Sequence, residues 1–198
     1  MPRPAQTDLR ERLIDEAEAI IAAGGLGSLT ARSLAARAGC AVGSIYNAFK
    51  DLDDLILAVH ARTLDRLGET LAAEHGRPLD PQAKLLALAE RYIAFIERNP
   101  HPWLALFEHR LPEGRAVPAW YQAKLNALFA IVEEIVDPLV AGDPGARRRE
   151  ARILWASLQG ICSLGVTDKL DLVSDESVRR LATSMVSTHV AGLRHRDN

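Results

Sequence analysis

Three side chains of different hydrogen-bonding character share one edge of a short segment near the N-terminus. In VGSIYNAFK, residues 42–50, the positions of Gly43, Tyr46, Asn47 and Lys50 are i, i+3, i+4 and i+7, which form one stripe of an α-helix. A phenol, an amide and an ammonium can each reach phosphate oxygens or base edges, and a glycine lets a backbone come close. This stripe predicts contact with a nucleic acid.

The distribution of charge around the stripe supports the same interpretation. The chain has a net charge of −2, so any nucleic-acid contact must be a local patch. Residues 26–50 contain no Asp or Glu, although acids follow at Asp51, Asp53 and Asp54. A carboxylate facing phosphates would repel them, which gives the gap a reason. The alternative is a solvated helical corner of an all-α protein.

The elements that position the stripe are predicted to be helices, because apolar residues recur at spacings of three and four along the chain. Thr30 is expected to cap a second helix, which Gly39 ends in the left-handed conformation. A third, short helix runs from about Val42 to Phe49, and Asp51 caps a long fourth helix. The second and third helices together predict a helix-turn-helix, whose second helix enters the major groove of DNA.

The remainder of the chain predicts a larger helical bundle, so the fold class is all-α. The expected domains are 1–50, with the helix-turn-helix, and 51–198, with the long helix 51–74 connecting the two. Further helices are predicted at about 81–98, 102–109, 118–140, 144–166 and 175–193, with breaks rich in Gly, Pro and Asp.

The stretch LTARSLAARAGCAVGSIYNAF, placed after an amphipathic helix and before an aspartate-capped one, resembles the DNA-binding domain of the TetR family. The resemblance covers about residues 9–59. It implies a homodimeric bacterial transcription regulator, expected to be a repressor, that binds double-stranded operator DNA and a small-molecule effector without a cofactor or a metal. The implied DNA-contacting residues, with Lys50 added for a missing lysine, are Thr30, Arg32, Val42, Gly43, Ser44, Tyr46, Asn47 and Lys50.

Two positions depart from the family's pattern. Many members have a polar helix cap where this chain has Ala41, and a phosphate-binding lysine where it has Leu52. We therefore expect the third helix to start less firmly, and Lys50 to replace the lysine.

The second part of the sequence holds all three tryptophans, with polar groups among the aromatic residues. An apolar cavity with a few convergent polar groups is how small-molecule sites are built. Several of these residues are expected to line a ligand pocket, the alternative being that they form the core of the bundle. The candidates are Trp103, Phe107, Arg110, Trp120, Tyr121, Phe129, Trp155, Gln159 and Ser163.

The segment ILWASLQGICSLG resembles a C-terminal subtype of the same family that carries a Trp and then a His-Gly pair. Trp155 and Gly160 match this pattern, whereas Gln159 replaces the histidine. In the family the last two long helices form the dimer interface. The residues expected there are Leu154, Leu158, Ile161, Met185, Val186, His189, Val190 and Leu193.

Other function classes have less support from the residues. The sequence lacks a nucleophile elbow, a Gly-rich phosphate loop and a cluster of metal-ligand residues, so an enzyme is not expected. A helical interaction module that binds no DNA remains an alternative. Leu52 lacks the positive charge of the family's lysine, and the three aspartates put negative charge beside the expected phosphate path. The polar N-terminus and the absence of a long apolar run predict a cytoplasmic protein without a membrane segment.

Overall fold

A computed structural model describes residues 4–75, 78–140 and 143–196, and within these ranges the regular structure is entirely helical. This confirms the all-α fold class. Short 3₁₀ turns lie at Leu26–Ser28, Asp137–Leu139 and Leu170–Leu172. The α-helices are α1 (Pro4–Gly24), α2 (Ala31–Ala38), α3 (Val42–Ala48), α4 (Leu52–His75), α5 (Pro81–Arg98), α6 (Pro100–Glu108), α7 (Ala119–Val136), α8 (Pro144–Val166) and α9 (Val178–Arg196).

The chain divides into two compact units, and the first comprises Met1–Asp65 together with Asn99–Gln122. Its core forms where α1, α2 and α3 pack on the beginning of α4, and α6 packs on α1. Ala105 of α6 joins this core. Burial of these apolar side chains is the main term that holds the short α2 and α3 in place. The fully buried members that define the core are Leu13, Leu34, Ile45 and Leu55.

The second unit comprises Arg66–Arg98 and Ala123–Asn198. In it, α9 packs on α5 and on α8. Arg179 of α9 reinforces this packing, since its guanidinium contacts the carboxylates of Glu90 at 2.9 Å and Glu97 at 2.7 Å on α5. In the described residues, no helix is both long and apolar enough to span a membrane.

The division into units differs from the sequence-based boundary at residue 50. The first half of α4, all of α6 and the segment up to Gln122 pack with the helix-turn-helix. The long helix was expected to connect the two domains, and the division between the units falls inside it, between Asp65 and Arg66.

Candidate nucleic-acid interface

The helix-turn-helix begins at a reciprocal cap on α2. The hydroxyl of Thr30 accepts a hydrogen bond of 3.0 Å from the backbone amide of Ser33, and the hydroxyl of Ser33 accepts one of 2.9 Å from the amide of Thr30. Both interactions satisfy amides that a helix leaves unpaired at its start. Gly39 then ends α2 with φ 63° and ψ 39°. This left-handed conformation is easiest for glycine, so Gly39 sets the turn.

The third helix is anchored by its apolar side. Ile45 is fully buried and Phe49, at its end, is almost so. The guanidinium of Arg10 lies 4.5 Å from the centre of the Phe49 ring, which adds a cation–π contact from α1. As expected, Ala41 at the N-cap supplies no side-chain hydrogen bond. Packing, rather than capping, therefore fixes the orientation of α3.

The opposite side of α3 is open to solvent. Tyr46 is 51% exposed and Val42 is 41% exposed. Gly43 and Asn47 are also exposed, and Ser44 is half-buried. Lys50 is exposed as well, but it lies beyond the end of α3, because Phe49 is extended (φ −134°, ψ 144°), so it does not continue the predicted helical stripe. On α2, Thr30 and Arg32 are exposed near the helix start. We call the set Thr30, Arg32, Val42, Gly43, Ser44, Tyr46, Asn47 and Lys50 the recognition face, and seven of its eight members are exposed.

An acidic group stands directly beyond Lys50. Asp51 caps α4, because its Oδ1 accepts a hydrogen bond of 2.9 Å from the amide of Asp54. That bond, together with hydrogen bonding and attraction from Arg115 and attraction from Lys50, holds the pKa of Asp51 below its usual value against the opposing effect of burial. Sequence reasoning missed Arg115, which contacts Asp51, Asp53 and Asp54 together.

The residues predicted to line a ligand pocket are divided between the two units. Five of them belong to the first unit. Trp103 is completely buried and meets Phe107 edge to face with centroids 5.1 Å apart; Tyr121 is buried and meets the exposed Trp120 at 5.6 Å. Burial raises the pKa of Tyr121 to about 12. Arg110 is exposed.

The other four predicted pocket residues lie in the second unit. Phe129 and Trp155 meet edge to face at 5.5 Å. Gln159 accepts a hydrogen bond of 2.6 Å from the hydroxyl of the buried Tyr92. Ser163 is half-buried. The position that carries histidine in the family subtype is therefore occupied here by an amide whose oxygen binds a phenol of α5.

Half of the predicted dimer residues are already buried inside a single chain. These are Leu154 of α8 and Val186, Val190 and Leu193 of α9. Their apolar character is accounted for by the packing of α9 on α8 and α5, so their burial does not require a partner chain. Leu158, Ile161 and Met185 are half-buried, while His189 is nearly buried, with its Nε2 3.2 Å from Oε2 of the buried Glu150.

Two further buried groups were not predicted. His60 of α4 is only 2% exposed, and its Nε2 makes no hydrogen bond among the described residues. Cys162 is a free, buried thiol, and burial, with the nearby charge of Glu97, raises its pKa to about 12, so it is unreactive at neutral pH. Groups of three or more His, Cys, Asp or Glu that could hold a metal are absent from the described ranges.

Two family models match the chain. One, described as bacterial regulatory proteins of the tetR family, covers residues 13–59, which include α2 and α3. The other, described as a tetracyclin repressor-like C-terminal domain, covers residues 85–189. The second match alone spans more than half of the chain.

Individual relatives agree with these models. The chain is 27% identical over 195 residues to the uncharacterized HTH-type transcriptional regulator Rv0681 of Mycobacterium tuberculosis, covering 98% of this chain and 85% of that protein. A protein of unknown function from Rhodococcus sp. RHA1 shares the fold with a TM-score of 0.76 at 24% identity, over 94% of this chain and 95% of the other. SCO7222, a TetR from Streptomyces coelicolor, shares it with a TM-score of 0.66 at 16% identity, over 94% and 97%.

Proposed function

Because this chain belongs to the TetR family of bacterial regulatory proteins, we propose that it is a homodimeric repressor that a small-molecule effector releases from operator DNA. Its place among transcriptional regulators follows from the family. The repressor role, the release by a ligand and the dimer are the parts that we propose.

The orientation of α3 is the observation that best supports DNA binding. The recognition face is solvent-exposed, while Ile45 and Phe49 on the other side of α3 are buried. A short helix held this way can enter the major groove, which is wide enough for an α-helix. The phenol of Tyr46 and the amide of Asn47 on α3 then face phosphates and base edges, as does the ammonium of Lys50 just after the helix. The acid-free stretch 26–50 adds no repulsion.

The proposed dimer uses the exposed sides of α8 and α9, not their buried ones. On α8, Ile153, Ala156 and Gly160 are exposed at i, i+3 and i+7. On α9, Ser184, Thr188 and Ala191 are exposed at i, i+4 and i+7. Small side chains, such as those of Ala156 and Ala191, and the absence of one at Gly160 allow two helices to approach closely. In a twofold dimer this surface of one chain packs against the same surface of the other.

The proposed effector site lies within the second unit. Phe129 and Trp155, which meet edge to face, supply apolar surface there, while Gln159 and Ser163 on α8 supply polar groups. An effector can release DNA only through its different affinity for two states of the protein. A change from nearly all bound to nearly all free requires about 5.5 kcal/mol.

A selection experiment tests the proposed function. The purified full chain is incubated with a pool of random-sequence DNA duplexes, and bound duplexes are amplified through successive rounds. We expect enrichment of an inverted repeat whose half-sites lie about one helical turn apart, because a twofold dimer reads two half-sites. A pool that stays random after repeated selection would contradict DNA recognition, and an enriched site without an inverted repeat would contradict the dimer.

A further inference from the structure

Three carboxylates stand next to the recognition face. Asp51, Asp53 and Asp54 follow Lys50 directly in the chain, and their side chains are 36%, 26% and 35% exposed. Lys50 is near enough to help lower the pKa of Asp51, so the acids border the face itself. Bare carboxylates at this position would repel the phosphates of an approaching duplex.

A single arginine from a distant part of the chain contacts all three carboxylates and offsets part of their negative charge. Arg115 lies in the segment between α6 and α7, and its Nη1 is 2.7 Å from Oδ2 of Asp51 and 3.3 Å from Oδ2 of Asp53. Its Nη2 contacts Oδ1 of Asp54. The guanidinium presents several donors in a rigid planar fork, so one side chain can bind all three carboxylates at once.

A histidine completes the arrangement. Nε2 of His109 lies 2.9 Å from Oδ1 of Asp53, and its side chain is nearly buried. His109 and Arg115 both belong to the segment that follows α6, and both contact acids at the start of α4. Arg115 stays charged at any physiological pH, since the hydrogen bond with Asp51 raises its pKa further.

We propose that Arg115 is a charge-compensating residue for DNA binding: it offsets part of the negative charge of the three aspartates beside α3 and so reduces their repulsion of phosphates at the recognition face. This deepens the proposed function and rests on it. It also answers the strongest sequence argument for a module that binds no DNA, because the acids behind that argument are ion-paired. DNA affinity then depends on where the segment after α6 holds Arg115.

A charge-compensating Arg115 and an Arg115 that only holds α3 in position predict different dependences of DNA affinity on salt. Partly exposed ion pairs add little to stability, because water and salt screen them. Their field at a neighbouring phosphate is also screened, with a Debye length of about 30 Å at 0.01 M salt and about 8 Å at 0.15 M. Loss of Arg115 should therefore weaken DNA binding most at low salt, whereas a displaced helix would weaken it at all salt concentrations.

The test measures fluorescence anisotropy of the full chain with the duplex that the wild-type protein enriches from the random pool, across a range of salt concentrations. Arg115→Gln is expected to bind roughly threefold to tenfold more weakly at low salt, with the difference shrinking as salt rises. Arg115→Lys keeps the charge and is expected to retain most of the affinity. Arg115→Gln combined with Asp53→Asn removes one acid as well and should recover part of the loss.

Arg179→Gln is the matched control, because Arg179 likewise binds two carboxylates, Glu90 and Glu97, but in the second unit. We expect its DNA affinity to equal that of the wild type. Equal affinity of wild type and Arg115→Gln at low salt would overturn the inference while leaving the proposed function intact. A salt-independent loss, or a loss that Arg115→Lys and the double variant do not recover, would also overturn it. If the wild type enriches no duplex, both fail together.

Discussion

The imidazole of His60 meets the imidazole of His109 edge to face, with ring centroids 5.3 Å apart, inside the first unit. Burial, aided by the charge of His109, lowers the pKa of His60 to about 3. His109 in turn contacts Asp53 at the start of α4. The buried, neutral His60 is thus connected through His109 to Asp53, one of the acids beside the recognition face.

His60 should make the protein less stable in mild acid. The unfolded chain binds a proton at His60 near pH 6.5, whereas the folded chain does so only near pH 3. Stability from this residue is therefore complete above pH 6.5 and is lost as the pH falls towards 3. The loss between pH 7 and pH 5 amounts to about 2 kcal/mol.

Urea denaturation at several pH values checks this effect. We expect His60→Leu to remove that part of the pH dependence, while His195→Gln, at an exposed position, leaves it unchanged. A wild-type slope that survives in His60→Leu would show that another group is responsible.

Changes at the N-caps of α2 and α3 should shift the free energy of unfolding in opposite directions. Thr30→Ala removes the side chain that accepts the Ser33 amide, so it should destabilise the first unit by about 1 kcal/mol. Ala41→Ser supplies an acceptor that α3 lacks and should stabilise it by up to about 1 kcal/mol. Denaturation without DNA measures both effects. An unchanged midpoint for Thr30→Ala would mean that the cap contributes nothing.

A charge on the exposed side of α8 should separate the proposed dimer. Among the described residues, a Cβ added at Gly160 meets nothing within 4 Å apart from its own stretch of helix, so we expect Gly160→Glu to leave the fold of one chain intact. In a twofold interface the same surface of both chains meets, so the substitution places two negative charges opposite each other. Light scattering after size exclusion should report a dimer for the wild type and a monomer for Gly160→Glu. Leu172→Glu adds the same charge at a side chain that is 81% exposed and should remain a dimer; a dimeric Gly160→Glu would place the interface elsewhere.

The sequence predicted best those features that depend on neighbours within a few residues. The cap at Thr30 and the left-handed Gly39 were both predicted, since each is set by local backbone chemistry. The bounds of α5 and α8 also agree with the prediction, because a proline marks the start of each. The start of α9 was placed a few residues too early, at Asp175, whereas the helix begins at Val178.

Features that depend on distant neighbours were beyond the sequence pattern. Arg115 lies 64 residues from Asp51, and nothing in its surroundings indicated three carboxylates. Apolar periodicity on α9 identified Val186 and Val190 as covered residues, but it could not tell whether the same chain or a partner covers them. The sequence pattern also did not show that Trp103 and Trp155 belong to different units, because that depends on which distant helices pack together.

If the exposed side of α3 reads DNA, as we propose, removal of two of its side chains must weaken DNA binding. Affinity for the duplex enriched by the wild type is compared between the wild type and the double variant Tyr46→Ala, Asn47→Ala by mobility shift, with folding checked by circular dichroism. The control, Leu172→Ala with Val173→Ala, removes two side chains of comparable exposure in the second unit. We predict at least about a tenfold loss for the Tyr46 and Asn47 variant, since base-edge contacts are worth about 1–3 kcal/mol each, and none for the control. Unchanged affinity in a folded Tyr46 and Asn47 variant would contradict the claim.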